Sequence, residues 1–142
     1  MCYELILSTT SNRDLAASNT ELVRFSRDVP AIAEVSDLKY AYKWYVGSRS
    51  ECSCSFRHLY SVDLGFGEPV DWYKEEQEDI DATLQVIAMI RSLIASGESV
   101  DCIDAWPRPD TSGTTELMVD LRTVSDREFR FFENYHFIFT NT

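Results

Sequence analysis

Two cysteines and a histidine fall within one short stretch, Cys52-Ser53-Cys54-Ser55-Phe56-Arg57-His58. Thiolate and imidazole together are the groups that hold zinc or carry out thiol chemistry. The spacing decides between these uses and a plainer one. Zinc knuckles separate paired cysteines by two to four intervening residues on a turn, whereas residues i and i+2 of an extended strand sit ~6.6 Å apart. Read as a strand, 52–62 puts Cys52, Cys54, Phe56, His58, Tyr60 and Val62 on one face, where cysteines pack as small apolar side chains. Convergence on one ion would need a bulge, with Cys102 of a later strand as a further ligand. The expectation is core thiols and no cofactor. The alternative is a zinc-binding or thiol-dependent site at Cys52, Cys54, His58 and Cys102.

His58 and His136 are the chain's two histidines, so proton transfer near neutral pH would fall most readily to one of them. No nucleophile is spaced beside either, and each is expected as a hydrogen-bonded structural residue. Arg91 falls at the edge of an apolar helical arc, where a buried guanidinium needs a carboxylate; Asp104 on the following strand is one candidate, and without it Arg91 would snorkel to solvent. There is no Gly-rich phosphate cradle, nucleophile elbow, paired-histidine zinc helix or calcium loop.

The opening Met1-Cys2 resembles the start of the amidotransferase-type N-terminal-nucleophile hydrolases, a likeness confined to those two residues. It implies that Cys2, exposed by removal of Met1, would be a nucleophile with its own α-amino group as base. The chain is short for that fold and shows no counterpart to the family's Gly-rich and Asn-containing substrate-binding motifs. A first-strand cysteine without a catalytic task is the plainer reading.

Charge gives the other candidate site. Glu68, Asp71, Glu75, Glu76, Glu78, Asp79 and Asp81 stand against the single Lys74, so this run carries six of the net eleven negative charges. Carboxylates favour a helix N-terminus through the macrodipole, by about 0.3–1 kcal/mol each, but seven exceed what capping requires. With Trp72 and Tyr73 as apolar anchors, the excess suggests a non-enzymatic accessory protein that docks a basic protein partner on Glu68, Asp71, Trp72, Tyr73, Glu75, Glu76, Glu78 and Asp79. Packing of the two aromatics onto the sheet is the competing use.

These groups need a frame. At 142 residues with 44% hydrophobic and 13% aromatic content, the chain can bury a core without disulfides, and one domain spanning 1–142 is expected. Net charge −11 argues against nucleic acid and against anionic membrane surfaces, since both recruit Lys and Arg. Glu4 interrupts the only place for a signal peptide, and no apolar run reaches ~18 residues, so a cytoplasmic protein with reduced thiols is expected.

Period-2 alternation predicts strands over 3–9, 38–46, 52–62, 100–106, 116–122 and 135–140, with a short one near 22–26. Turn residues pair 38–46 with 52–62, and 100–106 with 116–122, as antiparallel hairpins with one wet face. Ile80, Leu84, Val86, Ile87, Ile90, Leu93 and Ile94 form one arc of a helix over about 74–96, capped by Asp71 and closed by Gly97. Ser125-Asp126-Arg127-Glu128 reads as a capping box opening a short helix over about 126–132. The fold class is α+β: a mostly antiparallel sheet of about five to six strands covered by one long amphipathic helix.

Overall fold

The computed structural model describes residues 3–50, 52–59, 66, 75–106 and 114–140. The strands are β1 (Glu4–Thr9), β2 (Val23–Ser26), β3 (Tyr42–Ser48), β4 (His58–Leu59), β5 (Val100–Ala105), β6 (Thr115–Asp120), β7 (Phe131–Phe132) and β8 (Tyr135–Thr140), with one α-helix among the described residues, α1 (Gln77–Ala95). The main sheet has six strands in the order β2-β3-β1-β5-β8-β6. All neighbours are antiparallel except β6 and β8, which run parallel. The fold is thus α+β with a mostly antiparallel sheet.

Alternation along the central strands sets up two cores. Leu5 and Leu7 of β1, Val100 and Cys102 of β5, and Phe137 and Phe139 of β8 face α1, which brings Val86, Ile87, Ile90 and Leu93 against them. On the other face Ile6 and Ile103 meet Leu38, Val29, Ile32 and Val35, from a segment containing the 3-10 turn Ala33–Asp37. Both faces of β1 and β5 are therefore covered, and every residue of β5 is buried. Full burial of an aliphatic side chain contributes about 1.5–3 kcal/mol, so this two-sided packing is what makes the centre of the sheet rigid.

The helix stops where the sequence predicts. Gly97 has φ 87°, its N–H donates to the Ile94 carbonyl (3.0 Å), and the Glu98 N–H donates to that of Leu93 (3.1 Å). This is a Schellman closure, which needs a left-handed residue at that position. At the other end, Glu76 occupies the cap position without a side-chain cap bond, and α1 starts at Gln77 rather than near residue 74. The predicted cap, Asp71, lies outside the described residues.

Three expectations change. The stretch 52–56 is a turn, not a strand; among the described residues of 52–62 only His58–Leu59 is extended, and it pairs parallel with Phe131–Phe132 in a separate two-stranded sheet instead of forming a hairpin with β3, while 60–62 lie outside the described residues. The β5–β6 hairpin is absent because β8 inserts between them, its Phe137 and Phe139 supplying the apolar face that β5 needs. The helix expected over 126–132 is a single 3-10 turn, Asp126–Glu128, because Phe129, Phe131 and Phe132 are all fully buried and a continued α-helix could not deliver all three to the core. Ser125 makes no side-chain cap bond there.

Candidate functional site

The dithiol turn begins where β3 ends. The Ser48 N–H and hydroxyl both donate to the Cys52 carbonyl (2.8 and 2.5 Å), and the Ser55 N–H donates to Ser48 Oγ (3.1 Å). These bonds curl 52–55 back over the strand end. In that curl the Cys52 and Cys54 side chains converge, Sγ to Sγ 3.1 Å, with both residues partly exposed and reduced. The separation expected from the sequence assumed an extended backbone; the turn removes that assumption.

Ser53, between the cysteines, is fully buried and anchors the turn from below. Its hydroxyl donates to the Val46 carbonyl (2.7 Å) and accepts from the Leu5 N–H (2.9 Å), tying the turn to β3 and β1. Its carbonyl lies 2.5 Å from His58 Nε2, and His58 Nδ1 lies 2.6 Å from Asp104 Oδ2. A carbonyl can only accept, so Nε2 carries the hydrogen. The Tyr3 ring stacks on the imidazole at 3.9 Å, with Trp106 tilted against Tyr3 at 4.6 Å. His58 is thus a buried support for the dithiol turn.

Tyr45 flanks the turn. Burial pushes its hydroxyl up to about 12, and the negative charge of Glu4 adds to it. It stays a neutral phenol beside the thiols.

As a metal centre, the predicted set does not assemble. Both ring nitrogens of His58 are engaged by Asp104 and Ser53, and no three His, Cys, Asp or Glu side chains among the described residues are placed to hold an ion. Cys102 is 1% exposed in the core under α1, where burial first, and then the charges of Asp101 and Asp104, push its thiol well up. It behaves as a core hydrophobe. Cys2 lies outside the described residues.

Three of the five described carboxylates of the acidic run, Glu75, Glu76 and Asp79, are bound by arginines of the chain. Glu75, expected at the surface, is internal, its side chain 3% exposed. Arg57 grips it with two bonds, Nε to Oε2 (2.7 Å) and Nη2 to Oε1 (3.0 Å), and Arg130 Nη2 adds a third to Oε1 (2.9 Å). Arg57 Nη1 also donates to the Arg127 carbonyl (2.5 Å), so the group clamps the approach to α1 against the 127–130 segment. Glu76 and Asp79 both accept from Arg49 Nη2 (2.8 and 3.0 Å), and Glu78 is exposed. Glu68, Asp71, Trp72 and Tyr73 lie outside the described residues. Arg91 binds Asp126 (2.6 Å) and the Val124 carbonyl (2.8 Å) rather than Asp104, which His58 occupies.

On the opposite face Asp101 holds the second histidine. His136 Nε2 lies 2.6 Å from Oδ2, the Lys39 N–H donates to the same oxygen (3.0 Å), and the Ser8 hydroxyl donates to Oδ1. Serine, aspartate and histidine meet here in the wrong order for nucleophilic catalysis: the carboxylate separates hydroxyl from imidazole, whereas a base must touch its nucleophile. The Tyr40 N–H also donates to Ser8 Oγ (3.2 Å), so the group fastens the covering segment to the sheet.

Sequence reading missed Ser53, Tyr45, Asp104 and Arg49 as parts of the site. Ser53 carried a signal: a small polar residue between two cysteines, after Gly47-Ser48-Arg49-Ser50, continues a turn composition rather than a strand. Comparison with protein-family models, with curated proteins and with solved structures finds no match.

Proposed function

We propose that this is a thiol–disulfide exchange protein in which Cys52 and Cys54 cycle between a dithiol and a disulfide. The observation that carries the reading is the 3.1 Å separation of the two sulfurs on a partly exposed turn. A covalent S–S bond is ~2.05 Å, so closure needs roughly 1 Å of movement. The turn is held by Ser48, Ser53 and His58, and the reacting pair is thereby kept together in the reduced state.

The chemistry is two successive exchanges. One cysteine thiolate attacks a sulfur of a low-molecular-weight disulfide; the S–S bond breaks and one thiolate leaves with the electron pair. The second cysteine then attacks the protein sulfur of the mixed disulfide and expels the other thiolate. The protein gives up two electrons and two protons, and the small disulfide becomes two thiols. A reducing cytoplasm, the compartment expected from the sequence, returns the pair to thiols between oxidising events. The acidic-surface reading has weaker support, because one of its described carboxylates is internal and two are matched by Arg49.

Equilibration in buffers of graded reduced to oxidised glutathione tests this, with intact mass and peptide mapping as readouts. The expected product is an intrachain Cys52–Cys54 disulfide with a loss of two hydrogens, abolished in Cys52→Ser and Cys54→Ser. Accumulation of mixed disulfides without closure would count against the proposal.

A further inference from the structure

Beside the dithiol turn the outer face of the β2–β3 edge holds a cavity of about 470 Å³, lined by Arg24, Asp28, Tyr45, Ser48 and Arg49 among others. It forms because Arg24 of β2 is in register with Gly47 of β3, which offers no side chain across from it. One lining residue holds the backbone of the dithiol turn. Ser48 donates both its N–H and its hydroxyl to the Cys52 carbonyl.

The lining is mixed in charge, unlike the protein as a whole. Arg24 is exposed and makes no ion pair among the described residues. Arg49 shares its guanidinium with Glu76 and Asp79, but its side chain is 39% exposed, and surface pairs of this kind are weak enough to be re-shared with a ligand. Guanidinium groups bind carboxylates by charge-assisted, often bidentate bonds, and Asp28 in the same cavity supplies the complementary group for an ammonium.

We infer that this cavity selects the disulfide substrate, taking small disulfides that carry amino-acid groups, with a carboxylate on Arg24 and Arg49 and an ammonium on Asp28. The inference rests on the dithiol reading above. It runs against the global field: at net charge −11 the protein as a whole attracts cationic reagents and repels anionic ones, so a preference for carboxylate-bearing disulfides has to come from local groups.

The test measures the rate of Cys52–Cys54 closure with oxidised glutathione, cystamine and 2-hydroxyethyl disulfide, each divided by its rate with the urea-unfolded chain. Oxidised glutathione is expected to show the largest ratio. In Arg24→Ala, and independently in Arg24→Gln, its advantage over 2-hydroxyethyl disulfide falls about tenfold, the worth of one charge-assisted bond; Arg24→Lys retains part of it. Equal ratios for the three reagents, a lead for cystamine, or an unchanged advantage in both variants would overturn the inference and leave the dithiol reading standing. Failure of all three to close the pair would overturn both.

Discussion

His58 Nδ1 and Asp104 Oδ2 lie 2.6 Å apart in the core, 46 residues apart in sequence, and through the far ring nitrogen this contact reaches the carbonyl between the two cysteines. Burial pushes the Asp104 carboxyl upward, and the charge and hydrogen bond of His58 pull it part of the way back. The second oxygen, Oδ1, has no hydrogen-bond partner among the described residues. The carboxylate is there for the imidazole.

Asp104→Ala leaves a buried ring nitrogen without its partner and is expected to cost about 3 kcal/mol in urea unfolding. Asp104→Asn is expected to cost nearer ~1 kcal/mol, because its amide N–H can still donate to Nδ1 of a neutral ring. Equal losses in the two variants would show that the contact is not what holds the ring.

Glu75 gives a pH dependence. Burial alone would raise its carboxyl, but the hydrogen bonds and charges of Arg57 and Arg130 outweigh that and hold it below the ordinary 4.5. A carboxyl depressed in the folded state contributes stability that is complete above its unfolded pKa and is lost as pH falls through the folded one. Glu75→Gln, which breaks the clamp and strands buried guanidinium groups, is expected to cost about 3–5 kcal/mol at pH 7. The gap between wild type and variant should narrow steadily below pH 4.5, read as denaturation midpoints from pH 7 downward. A gap that stays constant into acid would mean that Glu75 acts by shape and not by charge.

How far the sequence reveals this arrangement depends on the range of the interaction. Local signals were legible: the alternation of β1, the apolar arc of α1 and the Gly97 stop are set by neighbours within a few residues. Partner choice was not. The insertion of β8 between β5 and β6 follows from which phenylalanines fill the space under α1, and Asp104 pairs with His58 rather than Arg91 because Asp126 lies within reach of that arginine. The thiols were visible as a candidate from residue types, but their convergence depended on reading 52–56 as a turn. The period-2 pattern concealed this because Phe56 in the turn and His58 in β4 are both buried, as they would be on one face of a continuous strand.

Gly97 separates backbone strain from packing. A Cβ built there meets nothing within 4 Å, so any cost of Gly97→Ala comes from φ 87° alone and is expected at about 1–2 kcal/mol. Asn tolerates this region, as Asn134 does at φ 61° between β7 and β8, so Gly97→Asn is expected to lose less. Thermal melts of the pair decide it, and a ranking with Ala above Asn would refute the backbone explanation.

The three described cysteines should differ sharply in reactivity, and the difference separates a working dithiol from inert core sulfur. Reaction with iodoacetamide requires a thiolate that solvent can reach. Cys52 and Cys54 are partly exposed on the turn, whereas Cys102 is 1% exposed under α1 with its thiol pushed well up by burial. In a Cys2→Ser background, native protein is expected to take label at Cys52 and Cys54, and at Cys102 only through unfolding, slower by at least about 10³-fold. Prior oxidation with a small disulfide should then protect the first two together, since one bond consumes both. Protection of only one of them, or labelling of Cys102 at a comparable rate, would mean that the two sulfurs 3.1 Å apart do not act as a pair.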